Sequence, residues 1–314
     1  MTVRERYFNF WAKPQPKNEF DRLMSMIKPT LLLLSAAMIT YAQGNKYPPE
    51  LPGARAEVYK TVGDTKLNLY IFEPEGHKAS DKTPAVVFFF GGGWTNGSPV
   101  QFLNQSKYLA SRGIVAITAD YRVASRHQVK VVDCVRDANS AIRWVRQNAK
   151  RLGIDPNRIA AGGGSAGGHL AAATGLIPEL HEPDEDMKIS SKPNALVMFN
   201  PALVLAPVAG IGAGLDLKDR VGGDPETVSP YHHIAKKAPP SIIFHGKADT
   251  TVPYLTAKLF ADKMTAMGSR CELEGYEGET HGFFNYGRGG NLAYESTVKK
   301  MDGFFVSLGW LKGK

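Results

Sequence analysis

The chain has 314 residues, 43% of them hydrophobic and 22% charged, with a formal net charge of +8. This is a globular composition, with length for one large core or two smaller ones, and it excludes a disordered or low-complexity protein. The lysines and arginines are scattered and not interleaved with aromatics, which argues against a nucleic-acid partner.

Residues 28–42 read KPTLLLLSAAMITYA. Lys28 precedes an apolar run from Leu31 to Ile39, and Thr40-Tyr41-Ala42 places small residues at the minus-three and minus-one positions. The pattern predicts a secretory signal cleaved after Ala42, too short for stable membrane insertion, and a secreted or periplasmic product. An uncleaved anchor with a short cytoplasmic tail is the alternative. Residues 1–23 are polar, basic and aromatic and end before Met24 and Met26, so they read as an extension ahead of the true start. Removing 1–42 takes away six basic and three acidic residues, which lowers the net charge from +8 to +5.

One catalytic domain is predicted over 43–314. AEVYKTV (56–62) and KLNLYIF (66–72) flank Gly63-Asp64, a hairpin signal. Residues 85–90 form a continuous apolar strand, 101–111 a helix and 113–120 a further strand. From 131 onward Val131, Val135, Ala138, Ile142 and Val145 recur at helical spacing. A strand over 158–163 leads into a small-residue helix over 166–176. Strands at 195–200, 241–246 and 271–276 and helices at 255–268 and around Val298–Leu308 complete the chain. An antiparallel start followed by strand–helix alternation predicts a mostly parallel, doubly wound sheet with helices on both faces. The Gly- and Pro-rich span 201–230 is placed to cover a site. Of the two cysteines, Cys134 falls early in a helix and Cys271 starts a late strand, so they are read as separate thiols.

In such sheets ligands sit beyond the carboxyl ends of the strands, and the chemical motifs fall there. GGGSAGG (162–168) holds Gly163-x-Ser165-x-Gly167 between a strand and a helix, the setting of a strained nucleophile turn. A serine hydroxyl needs a base within hydrogen-bond reach, and the base needs an orienting partner. Of eight histidines, His281 lies just past the last strand beside a glycine. His245 sits inside a strand as a buried histidine, and His169 packs against the turn. Asp249 follows a strand end and precedes a turn; Asp184, Asp186 and Glu279 are weaker substitutes for the acid. The candidate catalytic set is therefore Ser165, Asp249 and His281.

With FFFGGGW (88–94), ADYRVA (119–124), GIDPNRIAAGGGSAGGHLA (153–171), PPSIIFHGKADTTVP (239–253) and HGFF (281–284) in this order, the chain resembles the acetyl esterase/lipase group of α/β-hydrolases, related to the hormone-sensitive-lipase-like esterases. The resemblance covers nearly the whole mature chain. It implies the α/β-hydrolase fold, a serine carboxylic ester hydrolase, and roles for Ser165 as nucleophile, His281 as base and Asp249 as orienting carboxylate. It places the oxyanion donors at the N–H groups of Gly92, Gly93 and Ala166. No cofactor or metal is implied.

Two residues depart from the family pattern. Phe90 replaces the histidine that usually braces the Gly-rich loop, so bracing by packing is expected. Gly164 stands where many lipase-like members carry Asp, which places the chain nearer the acetyl and feruloyl esterase-like branch. Tyr121-Arg122 is read as scaffold, with an exposed ion pair as the alternative. Trp94, Phe283 and Phe284 either wall an acyl pocket or belong to the core. NYGRGGN (285–291) either meets the alcohol side of the substrate or is a solvated turn.

The expected substrate is a small ester or an acylated carbohydrate, such as an O-acetyl group on xylan. The alternatives are a feruloyl or aryl esterase, a secreted peptidase of the prolyl-oligopeptidase type, and an inactive hydrolase-like binding protein.

Overall fold

The computed structural model describes residues 47–208 and 217–313. The expected extension at 1–23, the expected leader at 28–42 with its expected cleavage point, and residues 209–216 of the glycine-rich span lie outside the described residues. Residues Glu50–Lys314 form one compact unit that carries every element described.

Two strands, β1 (Arg55–Val62) and β2 (Thr65–Phe72), make the antiparallel hairpin expected at Gly63-Asp64. Six more follow: β3 (Thr83–Phe89), β4 (Val115–Ala119), β5 (Ile154–Gly164), β6 (Ala195–Phe199), β7 (Ser241–Gly246) and β8 (Cys271–Tyr276). Their order in the sheet is β1-β2-β4-β3-β5-β6-β7-β8. β2 pairs antiparallel with β4, and every pair from β4 to β8 is parallel. The central strands read as unbroken apolar runs because both faces are covered.

The helices are α1 (Leu103–Ser111), α2 (Ala124–His127), α3 (Val131–Gln147), α4 (Ala166–Leu176), α5 (Lys218–Val221), α6 (Tyr254–Ala266) and α7 (Leu292–Ser307). Side chains alternate across a strand, so β3 feeds two cores. Ala85, Val87 and Phe89 join the side that carries α3, α4 and α6. Val86 and Phe88 join the side that carries α1 and α7. The short helices α2 and α5 and the 3₁₀ turns at Pro225–Val228 and Pro230–His233 were absent from the sequence expectation. One turn of helix holds too few residues to show a period.

Tyr121-Arg122 is scaffold, and its charges are buried. The Arg122 Nη2 atom lies 2.7 Å from Asp137 Oδ1 and 3.0 Å from Glu182 Oε1. Lys60 Nζ donates to the same two carboxylates, at 2.6 Å each. Asp137 is fully buried and needs both cations. This network ties β1, the segment between β4 and α2, and the loop after α4 to α3. Cys134 and Cys271 are both free thiols. Burial pushes the Cys271 thiol up to about 12, which leaves it inert at neutral pH.

Candidate active site

Ser165 sits at the junction of β5 and α4 with φ 54° and ψ −118°. That conformation is strained for a residue with a side chain, and the surroundings enforce it. Ser165 N donates to the Phe199 carbonyl on β6 at 2.9 Å, and the Ser165 carbonyl accepts from His169 N at 3.0 Å. The turn is tight enough to require glycine on both sides. A Cβ on Gly163 would stand 2.3 Å from the Gly167 carbonyl oxygen, and one on Gly167 would stand 2.0 Å from that of Phe89.

The loops after β7 and β8 bring the other two groups to this point. His281 Nε2 lies 2.9 Å from Ser165 Oγ, and His281 Nδ1 lies 2.7 Å from Asp249 Oδ2. The second oxygen, Asp249 Oδ1, accepts from the main-chain N–H groups of Thr251 and Val252, at 2.9 Å each. Burial alone would raise the pKa of this carboxyl, but hydrogen bonds from His245, His281 and Val252 outweigh it. The carboxyl is held well below the usual range. It therefore stays ionised at neutral pH, opposite the imidazole. The set Ser165–His281–Asp249 can take a proton from the serine and stabilise the imidazolium that results.

The Gly-rich loop after β3 faces the serine. Gly92 has φ +128° and Gly93 φ +60°, and the Gly92 carbonyl accepts from Thr95 N and Asn96 N, which closes the turn. Among the described residues, the N–H groups of Gly92, Gly93 and Ala166 donate to no protein acceptor. Free N–H groups beside a nucleophile can receive a developing oxyanion without reorganising. Among the described residues no cluster of His, Cys, Asp or Glu is placed to hold a metal.

Residues 69–206 match the BD-FAE family profile, and residues 219–307 match that of the prolyl oligopeptidase family. Thermogutta terrifontis esterase 2, in its apo form, is 56% identical and superposes with a TM-score of 0.83, the match covering 86% of this chain and 100% of that one. The chain belongs to the α/β-hydrolase esterases. Curated relatives of the same kind are more distant. A probable isoprenylcysteine alpha-carbonyl methylesterase of Arabidopsis thaliana is 31% identical over 245 residues, 72% of this chain and 50% of its own length. Esterase LipC of Mycobacterium tuberculosis is 30% identical over 226 residues, 64% of this chain and 53% of its own. The chain spans about half the length of these two curated relatives.

The two departures of this α/β-hydrolase from its family have a physical account. Phe90 is buried and stacks on Tyr121, with ring centroids 4.1 Å apart and planes 19° from parallel. The Tyr121 hydroxyl donates to the Phe90 carbonyl at 2.8 Å. The loop is thus braced by an aromatic stack and one buried hydrogen bond. Phe90→Ala removes the stack at the base of the oxyanion loop. It should lower kcat about tenfold, with KM within about twofold, since a loosened donor array weakens the transition state most. Steady-state kinetics on p-nitrophenyl acetate check this; an unchanged kcat would show that the stack does not brace the loop.

At Gly164, a Cβ would meet the tip of the Phe284 ring at 2.4 Å. Phe284 occupies the volume an aspartate would need. Phe283 and Phe284 are 2% and 1% exposed and pack with Tyr276 and with Phe199 and Phe102. They support the turn from the core side. Trp94 is also buried, but within the Gly-rich loop: its indole N–H donates to His169 Nδ1 at 3.1 Å. The opposite nitrogen, His169 Nε2, bonds the Val228 carbonyl at 2.7 Å. Burial pushes the His169 ring down to about 4, so it stays neutral and keeps this tautomer. Arg220, on α5 in the span expected to cover the site, donates to the Gly93 carbonyl and lies over the Trp94 ring.

One functional neighbour escaped the sequence reading. His245 is fully buried, its Nε2 2.8 Å from the Val252 carbonyl and 3.4 Å from Asp249 Oδ2. It supports the carboxylate from inside the sheet. Of the acids considered, the one bonded to the base is Asp249, at 2.7 Å from His281 Nδ1.

Proposed function

We propose that the protein is a serine carboxylesterase acting on short acyl esters. The observation that carries this is the continuous Asp249–His281–Ser165 hydrogen-bonded chain ending beside three free main-chain N–H groups. Ser165 Oγ attacks the ester carbonyl and passes its proton to His281 Nε2. The carbonyl oxygen becomes an oxyanion held by the N–H groups of Gly92, Gly93 and Ala166. Collapse expels the alcohol, which takes the proton from His281. Water, deprotonated by His281, then attacks the acyl-serine, and His281 returns that proton to Ser165 Oγ as the acid leaves.

Short acyl chains are supported by Thermogutta terrifontis esterase 2, which has been solved with propionate and with butyrate bound. That esterase has also been solved phosphorylated by paraoxon, which supports an organophosphate-reactive serine here. For the natural substrate we take O-acetyl groups on a carbohydrate such as xylan, supported by the leader-like segment at 28–42 and by the acetyl-esterase resemblance. A secreted or periplasmic location follows from the same segment, and N-terminal sequencing of exported protein should begin at Gln43.

A peptidase is the second reading, favoured by the prolyl oligopeptidase profile over 219–307. That stretch carries only Asp249 and His281 of the catalytic set, and an ester presents a better leaving group to the same machinery. Purified protein should hydrolyse p-nitrophenyl acetate, propionate and butyrate with kcat/KM at least about tenfold above the laurate, a difference of about 1.4 kcal/mol. Acetate release from acetylated xylan should exceed ferulate release from an equimolar feruloyl ester. Faster cleavage of a proline dipeptide p-nitroanilide than of the acetate would overturn the esterase reading.

A further inference from the structure

Gly91 joins β3 to the two candidate oxyanion glycines, and Gly282 directly follows His281. A relay of side-chain amides links these two main-chain points. Gly91 N–H donates to Gln101 Oε1 at 2.6 Å, and Gln101 Nε2 donates to Asn285 Oδ1 at 3.0 Å. Asn285 Nδ2 then donates to the Gly282 carbonyl at 2.8 Å. Gln101 lies in the 3₁₀ turn Pro99–Phe102, and Asn285 opens the NYGRGGN loop. The loop is thus neither a plain solvated turn nor, at Asn285, an alcohol-side contact.

The direction of the relay is fixed by its ends. A main-chain N–H only donates and a carbonyl only accepts. Flipping Gln101 would set its NH₂ against the Gly91 N–H. Flipping Asn285 would set its oxygen against the Gly282 carbonyl. Each amide therefore has one orientation, and each bond polarises the next. Each loop also has anchors of its own: Arg288 bonds the His281 carbonyl and Asn200 Oδ1 accepts from Gly282 N, while Arg220 bonds the Gly93 carbonyl. The amide relay is different because it spans from one loop to the other, across 184 residues of sequence.

We propose that Gln101 and Asn285 are positioning residues for ester hydrolysis. They hold the oxyanion loop and the base loop at one separation, so that the glycine N–H groups and His281 Nε2 address two oxygens of the same tetrahedral intermediate. This rests on the esterase reading above. Misplacement of reacting groups by about 1 Å costs on the order of a hundredfold in rate, so a relay between the two glycine-bearing loops has a kinetic effect. The effect falls on the transition state, where oxyanion and imidazolium exist together, and leaves ground-state binding alone.

The test is a double-mutant cycle with Gln101→Met and Asn285→Leu on p-nitrophenyl acetate. Each single variant should lower kcat about tenfold with KM within about twofold, and the double should be within about twofold of the worse single, because both cut one relay. Affinity for an alkyl boronic acid, which mimics the tetrahedral intermediate, should fall by the same factor as kcat, while inhibition by butyrate stays unchanged. Gln101→Glu is nearly isosteric and keeps an acceptor for Gly91 N–H, yet it has no hydrogen to give Asn285; it should show the same loss with an unchanged Tm. Losses that multiply to about a hundredfold, a loss carried by KM, or wild-type kcat in folded Gln101→Glu would each overturn the proposal. Wild-type turnover and labelling by a fluorophosphonate are measured alongside; their absence would overturn the esterase reading and this one with it.

Discussion

Ser165→Ala and His281→Ala should each lower kcat on p-nitrophenyl acetate by about 10⁵- to 10⁶-fold, and the double variant should be no slower than either single. The reason is the geometry. Among the described residues the base that reaches Ser165 Oγ is His281 Nε2, at 2.9 Å, and it provides the route by which the hydroxyl becomes an alkoxide equivalent during attack. Without the imidazole the serine attacks as a neutral alcohol; without the serine the imidazole has nothing to deprotonate but water. Loss of either one therefore discards the whole covalent path, and the second loss removes nothing further. A residual rate above that of water should survive from the free N–H groups of Gly92, Gly93 and Ala166, which do not depend on either side chain. The oxyanion donors are main-chain, so neither substitution disturbs them. Multiplicative losses in the double variant would mean that the two residues act in separate steps.

Asp249→Asn should lower kcat about 10⁴-fold while leaving the fold intact. The side chain has no freedom to hide the change. One oxygen accepts from Thr251 N and Val252 N, so the asparagine must turn its carbonyl to those two donors. Its NH₂ then faces His281 Nδ1. That nitrogen is forced to accept, the ring proton moves to Nε2, and Nε2 presents a donor to Ser165 Oγ where an acceptor is required. The imidazole is in place and in the wrong tautomer.

The same substitution has a signature in stability. The folded pKa of Asp249 is depressed relative to an unfolded carboxyl near 3.9, so its contribution is fully present above about pH 4 and is lost as pH falls through the folded value. The Tm advantage of the wild type over Asp249→Asn should therefore be larger at pH 6 than at pH 3. A kcat loss below about tenfold would show that Asp249 does not set the tautomer, and an advantage that grows in acid would reverse the sign of its shift.

How much of this was legible in the sequence follows from the physics of each part. The strands β3, β5, β6 and β7 were readable because a parallel sheet covered on both faces demands unbroken apolar runs. The turn at Ser165 was readable because Gly163 and Gly167 leave no room for any side chain, so the chemistry of the backbone is written as glycine. His281 and Asp249 could be placed because strand ends are marked by turn residues, although their separation of 32 positions follows no spacing rule. The relation of Phe284 to Gly164 was hidden: an aromatic in a core and one beside a substrate look alike in a sequence, and only the packing against Phe199 and Phe102 separates them. Gln101 and Asn285 were hidden for a different reason. Polar residues in loops are ordinary, and nothing local says that two of them meet across the catalytic edge. His245 was read as a buried histidine, which it is, but its approach to Asp249 depends on how the β7 turn folds back.

One serine carries the chemistry. The direct measurement is intact-protein mass spectrometry, with peptide mapping, after titration by a fluorophosphonate probe, followed in parallel by residual p-nitrophenyl acetate turnover. One adduct per chain is expected, located on Ser165, with activity falling in proportion to labelling and no adduct on the Ser165→Ala protein. Full turnover with Ser165 unlabelled, or inactivation with the adduct on another residue, would contradict it.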